Sequence, residues 1–313
     1  MMSPGFFISP SAQLHESWSP KLDNTCGLSK LSRSWPTRCG FLHSCIFYIF
    51  TLCMTETHIS LKGKKIYFAS DFHLGVPNRA ESVAREKLIV QWLESVRHDA
   101  HSIYLLGDIF DFWFEYKYTI PRGFIRLQGK LAELRDAGIP IFFFTGNHDM
   151  WMFNYFPEEL GIPVYHEPQL LIVDRHRILI GHGDGLGPGD HTYKFLKRFF
   201  NSPVCQWLFA RLHPNLGFWI AQNWSRKSRI ANTKLEEKFE GEQREFLWVY
   251  CRDLEKVQHH DFYIFGHRHL PLDLKVGEKS RYINLGEWVH FNTYAVYDGT
   301  DVVLKTYDSK INP

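Results

Sequence analysis

The chain has 313 residues, 44% of them hydrophobic, enough for one large α/β domain or two smaller ones with a full core. With 36 basic against 34 acidic side chains the net charge is +2, so no global field argues for nucleic acid and recognition by charge must be local. Four of the six cysteines (Cys26, Cys39, Cys45, Cys53) precede residue 54, which is no disulfide framework, and the body reads as that of a reduced, intracellular protein.

In chain order, residues 1–40 are Ser- and Pro-rich without periodicity, and an apolar run then extends from Phe41 to Met54. Fourteen residues fall short of the about 20 that a transmembrane helix needs. A signal peptide is the other reading, but the run is far from the amino terminus and lacks a clear small-residue cleavage site. The favoured reading starts translation at Met54, with a disordered leader over 1–57 and a single domain over 58–313.

From Lys64 onward short apolar runs alternate with amphipathic stretches. KKIYFASD reads as a buried strand. Glu81 to Arg97 carries Val83, Leu88, Trp92, Leu93 and Val96 at helical spacing. A strand at SIYLLGD, a helix over FIRLQGKLAELRDAG ending at Gly138 and a strand at PIFFFTGN follow. This βαβαβ order predicts a parallel sheet with its loops gathered at the carboxyl ends of the strands. LLIVDRHRILIGHGD, DFYIFGH, RYINLG, TYAVYD and VVLKTY predict a second, mixed sheet packed on the first.

A helical cap is expected over about residues 186–250. His191 to Leu235 holds no Asp or Glu but eight Lys or Arg (Lys194, Lys197, Arg198, Arg211, Arg226, Lys227, Arg229, Lys234), mixed with Phe195, Phe199, Trp207, Phe218, Trp219, Trp224 and other aromatics. Two readings stand: a helical subdomain that buries its aromatics, or an amphipathic surface for an anionic lipid or charged amphiphile.

Each strand feeding the crevice ends in a potential metal donor: Asp71 and His73, Asp108, Asn147, His182, and His267 with His269. Any one of these alone reads as a turn or capping residue; TGNHDMW, with Asn147, His148 and Asp149, is an example. Together they would crowd into one site, which buried polar groups do not tolerate without a cation. The mixed O and N set suits Mn²⁺, Fe²⁺ or Zn²⁺ better than Ca²⁺. Seven donors imply two ions, with Asp108 as the natural shared ligand, and such a pair indicates hydrolysis of a phosphate ester or anhydride.

The motifs Asp71-Phe72-His73, Gly107-Asp108-Ile109-Phe110-Asp111, Gly146-Asn147-His148-Asp149, Gly181-His182 and Gly266-His267-Arg268-His269, in this order over roughly residues 64–306, resemble the calcineurin-like metallophosphoesterase superfamily. The resemblance implies a four-layer α-β-β-α sandwich of the α/β class. One metal would take Asp71, His73, Asp108 and His269, and the other Asp108, Asn147, His182 and His267. His148 would contact the phosphate or protonate the leaving group, with Asp149 orienting it.

Finer text, DFHLG, GDIFDFWFEY and HGDGLGPGDHTYKFLKR, resembles the UDP-2,3-diacylglucosamine pyrophosphohydrolases of lipid A biosynthesis. That branch implies two divalent ions, Mn²⁺ favoured, and a lipid-linked nucleotide sugar substrate. It also implies peripheral contact with the inner face of the cytoplasmic membrane, and no nucleic acid. Asn147 would also meet substrate, Asp190 and Tyr193 would face the glucosamine unit, and Lys194, Lys197 or Arg198 could approach phosphate. Ordinary helix-start residues, with Asp190 as N-cap, are the alternative. Trp113 and Phe114 read either as acyl-pocket walls or as core. A phosphoesterase of other specificity is the competing functional reading.

Overall fold

The structure is a computed structural model that describes residues 56–189, 191–223, 225 and 238–309. In chain order its strands are β1 (Glu56–Ile59), β2 (Lys65–Ala69), β3 (Ala100–Leu106), β4 (Ile141–Phe144), β5 (Val164–Tyr165), β6 (Gln169–Val173), β7 (His176–Gly181), β8 (Phe262–Phe265), β9 (Pro271–Lys275), β10 (Arg281–Leu285), β11 (Thr293–Tyr297) and β12 (Val302–Thr306). The helices with named bounds are α1 (Arg79–Val96), α2 (Ile125–Asp136), α3 (Tyr155–Leu160), α4 (His191–Phe200), α5 (Pro203–Phe209) and α6 (Phe246–Glu255). Residues 214–223 are helical as well.

Two six-stranded sheets result, in the orders β12-β11-β2-β3-β4-β5 and β1-β6-β7-β8-β10-β9. Because strand side chains alternate in direction, β2 and β3 serve two cores at once. Tyr67, Ala69, Ile103 and Leu105 pack with Trp92 and Leu93 of α1 and Leu127, Leu131 and Leu134 of α2. Ile66, Phe68, Tyr104 and Leu106 pack with Leu171, Ile178, Ile180, Ile264 and Ile283 of the second sheet. Leu247, Tyr250, Cys251 and Leu254 of α6 are buried, with the Tyr250 ring 6.2 Å from Phe265 of β8. The layers are α-β-β-α, as the motifs imply.

The βαβαβ unit is present as β2-α1-β3-α2-β4, with parallel pairing. β11 and β12 correct the sheet assignment. They belong to the first sheet, where β11 runs antiparallel to β2 with Ala295 opposite Phe68. Alternation in sequence fixes which face of a strand is apolar but not which neighbour it pairs with. The expected domain start at residue 58 also shifts. Glu56 and Thr57 are paired with Leu170 and Leu171 in β1. The cap range ends inside α6, which packs on the second sheet and belongs to the sandwich.

Two polar residues on the buried face of α1 support the loops around it. Glu86 accepts the N–H groups of Arg126 (2.8 Å) and Leu127 (3.1 Å), capping α2, whose own preceding residue, Phe124, supplies no side-chain cap. Arg85 donates to the His73 carbonyl at 2.7 Å and to the Val76 carbonyl.

Candidate metal centre

Five of the seven expected donors, Asp71, His73, Asp108, His267 and His269, have φ between 43° and 70°, in the left-handed region. For residues other than glycine this costs free energy and clusters where function requires it. The strand exits are cross-tied: Asp71 N–H donates to Gly107 O (3.0 Å), His73 N–H to Asp108 O (2.9 Å) and Gly266 N–H to His182 O (3.0 Å). The glycines before the donors permit this packing. A Cβ at Gly146 would collide with Asp108, and one at Gly266 would stand 2.5 Å from Asp71 Oδ2.

Each central carboxylate is split between backbone and centre. Asp71 Oδ2 accepts the His267 N–H at 3.0 Å, while the buried Oδ1 has no hydrogen-bond donor and lies 3.2 Å from His269 Nε2 and 3.7 Å from His73 Nε2. Asp108 Oδ1 accepts the His148 N–H at 2.8 Å. Its Oδ2, also without a donor, faces His182 Nε2 at 3.4 Å and His73 Nε2 at 3.9 Å. Asp108 therefore stands between two groups of donors. Asp71, His73, Asp108 and His269 form one of them, all ligand atoms lying within 4.8 Å of one another.

On the other side His182 Nδ1 donates to Leu106 O at 2.8 Å, which turns Nε2 toward Asn147 Oδ1 at 3.3 Å and Asp108 Oδ2. The His267 ring lies 5.1 Å from that of His182. Two acceptor oxygens facing one imidazole nitrogen require a proton or a cation on it. Without a cation a proton fills this place: burial opposes it, but Asp108 holds His182 up at about 10. Burial pushes His73 down to about 3 and His267 to about 4. Asp71 and Asp108 stay well below the carboxylate range because the imidazoles outweigh burial. The orphaned carboxylate oxygens and converging imidazoles thus fit divalent cations, with N and O donors suited to Mn²⁺, Fe²⁺ or Zn²⁺.

The residues beyond this set divide. The His148 ring packs edge-on to His73, centroids 5.0 Å apart, and its Nδ1 donates to the Asp111 carbonyl at 3.1 Å, with Asp111 Oδ1 3.4 Å away. Asp149 does not orient it, a correction to the sequence reading. Its buried carboxylate instead accepts the N–H groups of Gly146 (2.7 Å), Ile109 (2.8 Å), Asp108 (3.2 Å) and Phe110 (3.3 Å). The tight turn points Asp149 into the loop backbone, and Asp111 takes the place beside His148. Tyr193 and Lys197 reach Asp184 Oδ2 at 2.5 and 2.7 Å, and Lys194 donates to Gly187 O at 2.5 Å, so these side chains hold α4 to the loop after His182. Arg198 is exposed. Asp190, Trp224, Arg226, Lys227, Arg229 and Lys234 lie outside the described residues, as does the leader to residue 55. Trp113 and Phe114 are core: Trp113 stacks on Phe110 at 4.4 Å, and both are buried.

Four contributors carry little sequence signal. Asp184, buried beside His182, is the acid of the His182-Gly183-Asp184 run and could have been suspected. Arg85 sits where helical spacing predicts an apolar residue. Arg268 is held by Glu245 at 2.9 Å, which anchors the His267–His269 loop to the start of α6. Ser225 touches Asp111 from the cap.

A sandwich with a buried His/Asp constellation at its strand exits defines a metallophosphoesterase, a hydrolase. The chain belongs to the calcineurin-like phosphoesterase family, whose sequence profile matches residues 64–271. A UDP-2,3-diacylglucosamine hydrolase of Porphyromonas gingivalis is 38% identical over 257 residues, covering 78% of this chain and 98% of its own. Hydrolases of the same description from Actinobacillus succinogenes and Histophilus somni are 30% and 27% identical, each over 72% of this chain and 92% of their own.

Proposed function

We propose that the protein hydrolyses the diphosphate of UDP-2,3-diacylglucosamine, giving UMP and 2,3-diacylglucosamine 1-phosphate, the lipid A precursor step. The observation that carries this reading is the likeness over almost the full length of the P. gingivalis hydrolase, combined with the convergence of Asp71, His73, Asp108 and His269. Asp71, His73, Asp108 and His269 would hold one divalent ion, and Asp108, Asn147, His182 and His267 a second, with Mn²⁺ the favoured metal. Bound there, the ions would neutralise phosphoryl oxygens and make the attacking water more acidic.

The chain's own residues do the remainder. Asp71 and Asp108 each keep one oxygen on a backbone N–H, so their other oxygens stay aimed at the centre. His148 keeps a proton on Nδ1 against the Asp111 carbonyl, leaving Nε2 to exchange a proton with the phosphate or leaving group.

The cap supports a membrane-borne substrate. Phe195, Phe199, Trp207, Leu208 and Trp219 are exposed on its helices, and the Arg211 guanidinium lies 4.9 Å over the Trp207 ring. Such a face suits peripheral docking on anionic lipid at the inner side of the cytoplasmic membrane. Among the described residues no helix is long and apolar enough to cross a bilayer.

The test is UMP release from UDP-2,3-diacylglucosamine in detergent micelles with Mn²⁺. Metal-dependent release supports the reading. Absence of UMP alongside brisk cleavage of simple phosphodiesters would transfer the protein to a phosphoesterase of other specificity.

A further inference from the structure

Ser225 belongs to the cap, is 6% exposed, and lies against the Asp111–His148 pair. Its hydroxyl oxygen stands 3.1 and 3.0 Å from the two Asp111 carboxylate oxygens and 3.3 Å from His148 Nδ1. Carboxylate oxygens only accept, so the hydroxyl proton goes to Asp111. Nδ1 is then surrounded by oxygens: the Asp111 carbonyl at 3.1 Å, Asp111 Oδ1 at 3.4 Å and Ser225 Oγ. That environment selects the tautomer protonated on Nδ1 and leaves Nε2 as the ring's exchangeable position.

We infer that Ser225 is a positioning residue by which the cap fixes the Asp111–His148 pair for proton delivery. The inference rests on the phosphoesterase reading, with His148 as the acid, but not on the identity of the lipid substrate. Ser225 is 114 residues from Asp111 and 77 from His148, so the contact exists only when the cap is seated on the sandwich. In the step concerned, a water oxygen bonds to phosphorus and the bond to the leaving oxygen breaks. The Nε2 proton of the imidazolium moves to that oxygen; the water's proton passes to solvent, from which the ring is reprotonated. Throughout, Nδ1 keeps its proton and Ser225 keeps donating to Asp111. The contact supplies one of three oxygens around Nδ1 and the hydroxyl that pins the carboxylate, and so ties the cap to His148, whereas the metal donors all lie on sandwich loops.

The inference is tested on two phosphodiesters that contain neither nucleotide nor lipid: diphenyl phosphate, whose leaving group needs protonation, and bis(4-nitrophenyl) phosphate, whose leaving group departs as the anion. With Mn²⁺-loaded enzyme, Ser225→Ala should lower kcat on diphenyl phosphate about tenfold, a part of what a placed general acid contributes. On the nitrophenyl ester the change should stay within about twofold, with KM unchanged on both. Ser225→Thr, which keeps the hydroxyl, should restore the rate. In a His148→Ala background Ser225→Ala should have no further effect, as two residues acting through one group require. Equal kcat losses on both esters, or additive losses in the His148→Ala background, would overturn the inference. Because neither ester reports on UMP release, the test stands or falls separately from the assignment of the natural substrate.

Discussion

Asp108 and Asp149 are interlocked through backbone: Asp149 Oδ1 accepts the Asp108 N–H at 3.2 Å, and Asp108 Oδ1 accepts the N–H of His148, next to Asp149, at 2.8 Å. The Asp149 carboxylate thereby holds the loops after β3 and β4 together beneath the centre. Burial and the Asp108 charge push Asp149 up to about 7, against the opposing pull of its backbone donors.

Asp149→Ala leaves four buried N–H groups without acceptors, and each costs roughly 1–3 kcal/mol. The expected loss is at least ~3 kcal/mol in urea denaturation of the metal-free protein, with weaker metal binding as a consequence. A variant of unchanged stability that has lost only kcat would restore Asp149 to a catalytic role beside His148.

The Arg85 guanidinium holds the carbonyl of His73, whose φ is 43°. Arg85→Ala should weaken Mn²⁺ binding by about 10- to 100-fold, the usual effect of removing an outer-shell partner. Titration calorimetry measures this directly. Wild-type affinity in the variant would show that the loop holds its shape unaided.

His260 is buried away from the centre, its Nδ1 3.0 Å from Gln258 O and 3.1 Å from the Tyr263 hydroxyl. Burial, with Arg177 nearby, pushes it down to about 4, below the ordinary value of 6.5. The unfolded chain therefore binds more protons between those values, and the contribution of His260 is present above pH 6.5 and lost as pH falls toward 4. From pH 7 to pH 5 this amounts to about 2 kcal/mol. His260→Gln should flatten the stability profile by that amount in denaturation at the two pH values. Parallel profiles for wild type and variant would rule out His260 as the cause.

The convergence was legible in the sequence because the donors lie in loops that leave apolar strands, four of the seven directly after a glycine, and α/β topology brings such ends together. The alternation of apolar runs pointed to two packed sheets, and the family resemblance of the motifs implied the α-β-β-α layers. What escaped are contacts that chain order does not encode. β11 lies beside β2 although it is separated from it by most of the domain. Arg85 and Glu86 occupy a buried helix face where periodicity predicts apolar side chains. Asp149 adjoins His148 in sequence but points away from its ring, while Asp111, on another strand exit, lies beside it. Trp113 and Phe114 illustrate the converse: aromatic residues near a site are core unless something exposes them.

The central claim is that seven side chains form a two-ion centre in which Asp108 is shared. Counting Mn²⁺ bound per chain, by elemental analysis after gel filtration, tests it most directly. Two ions are predicted for wild type, about one for Asn147→Ala, and none retained by Asp108→Ala, whose oxygen faces both donor groups. A single ion in the wild type, or two in Asp108→Ala, would contradict it.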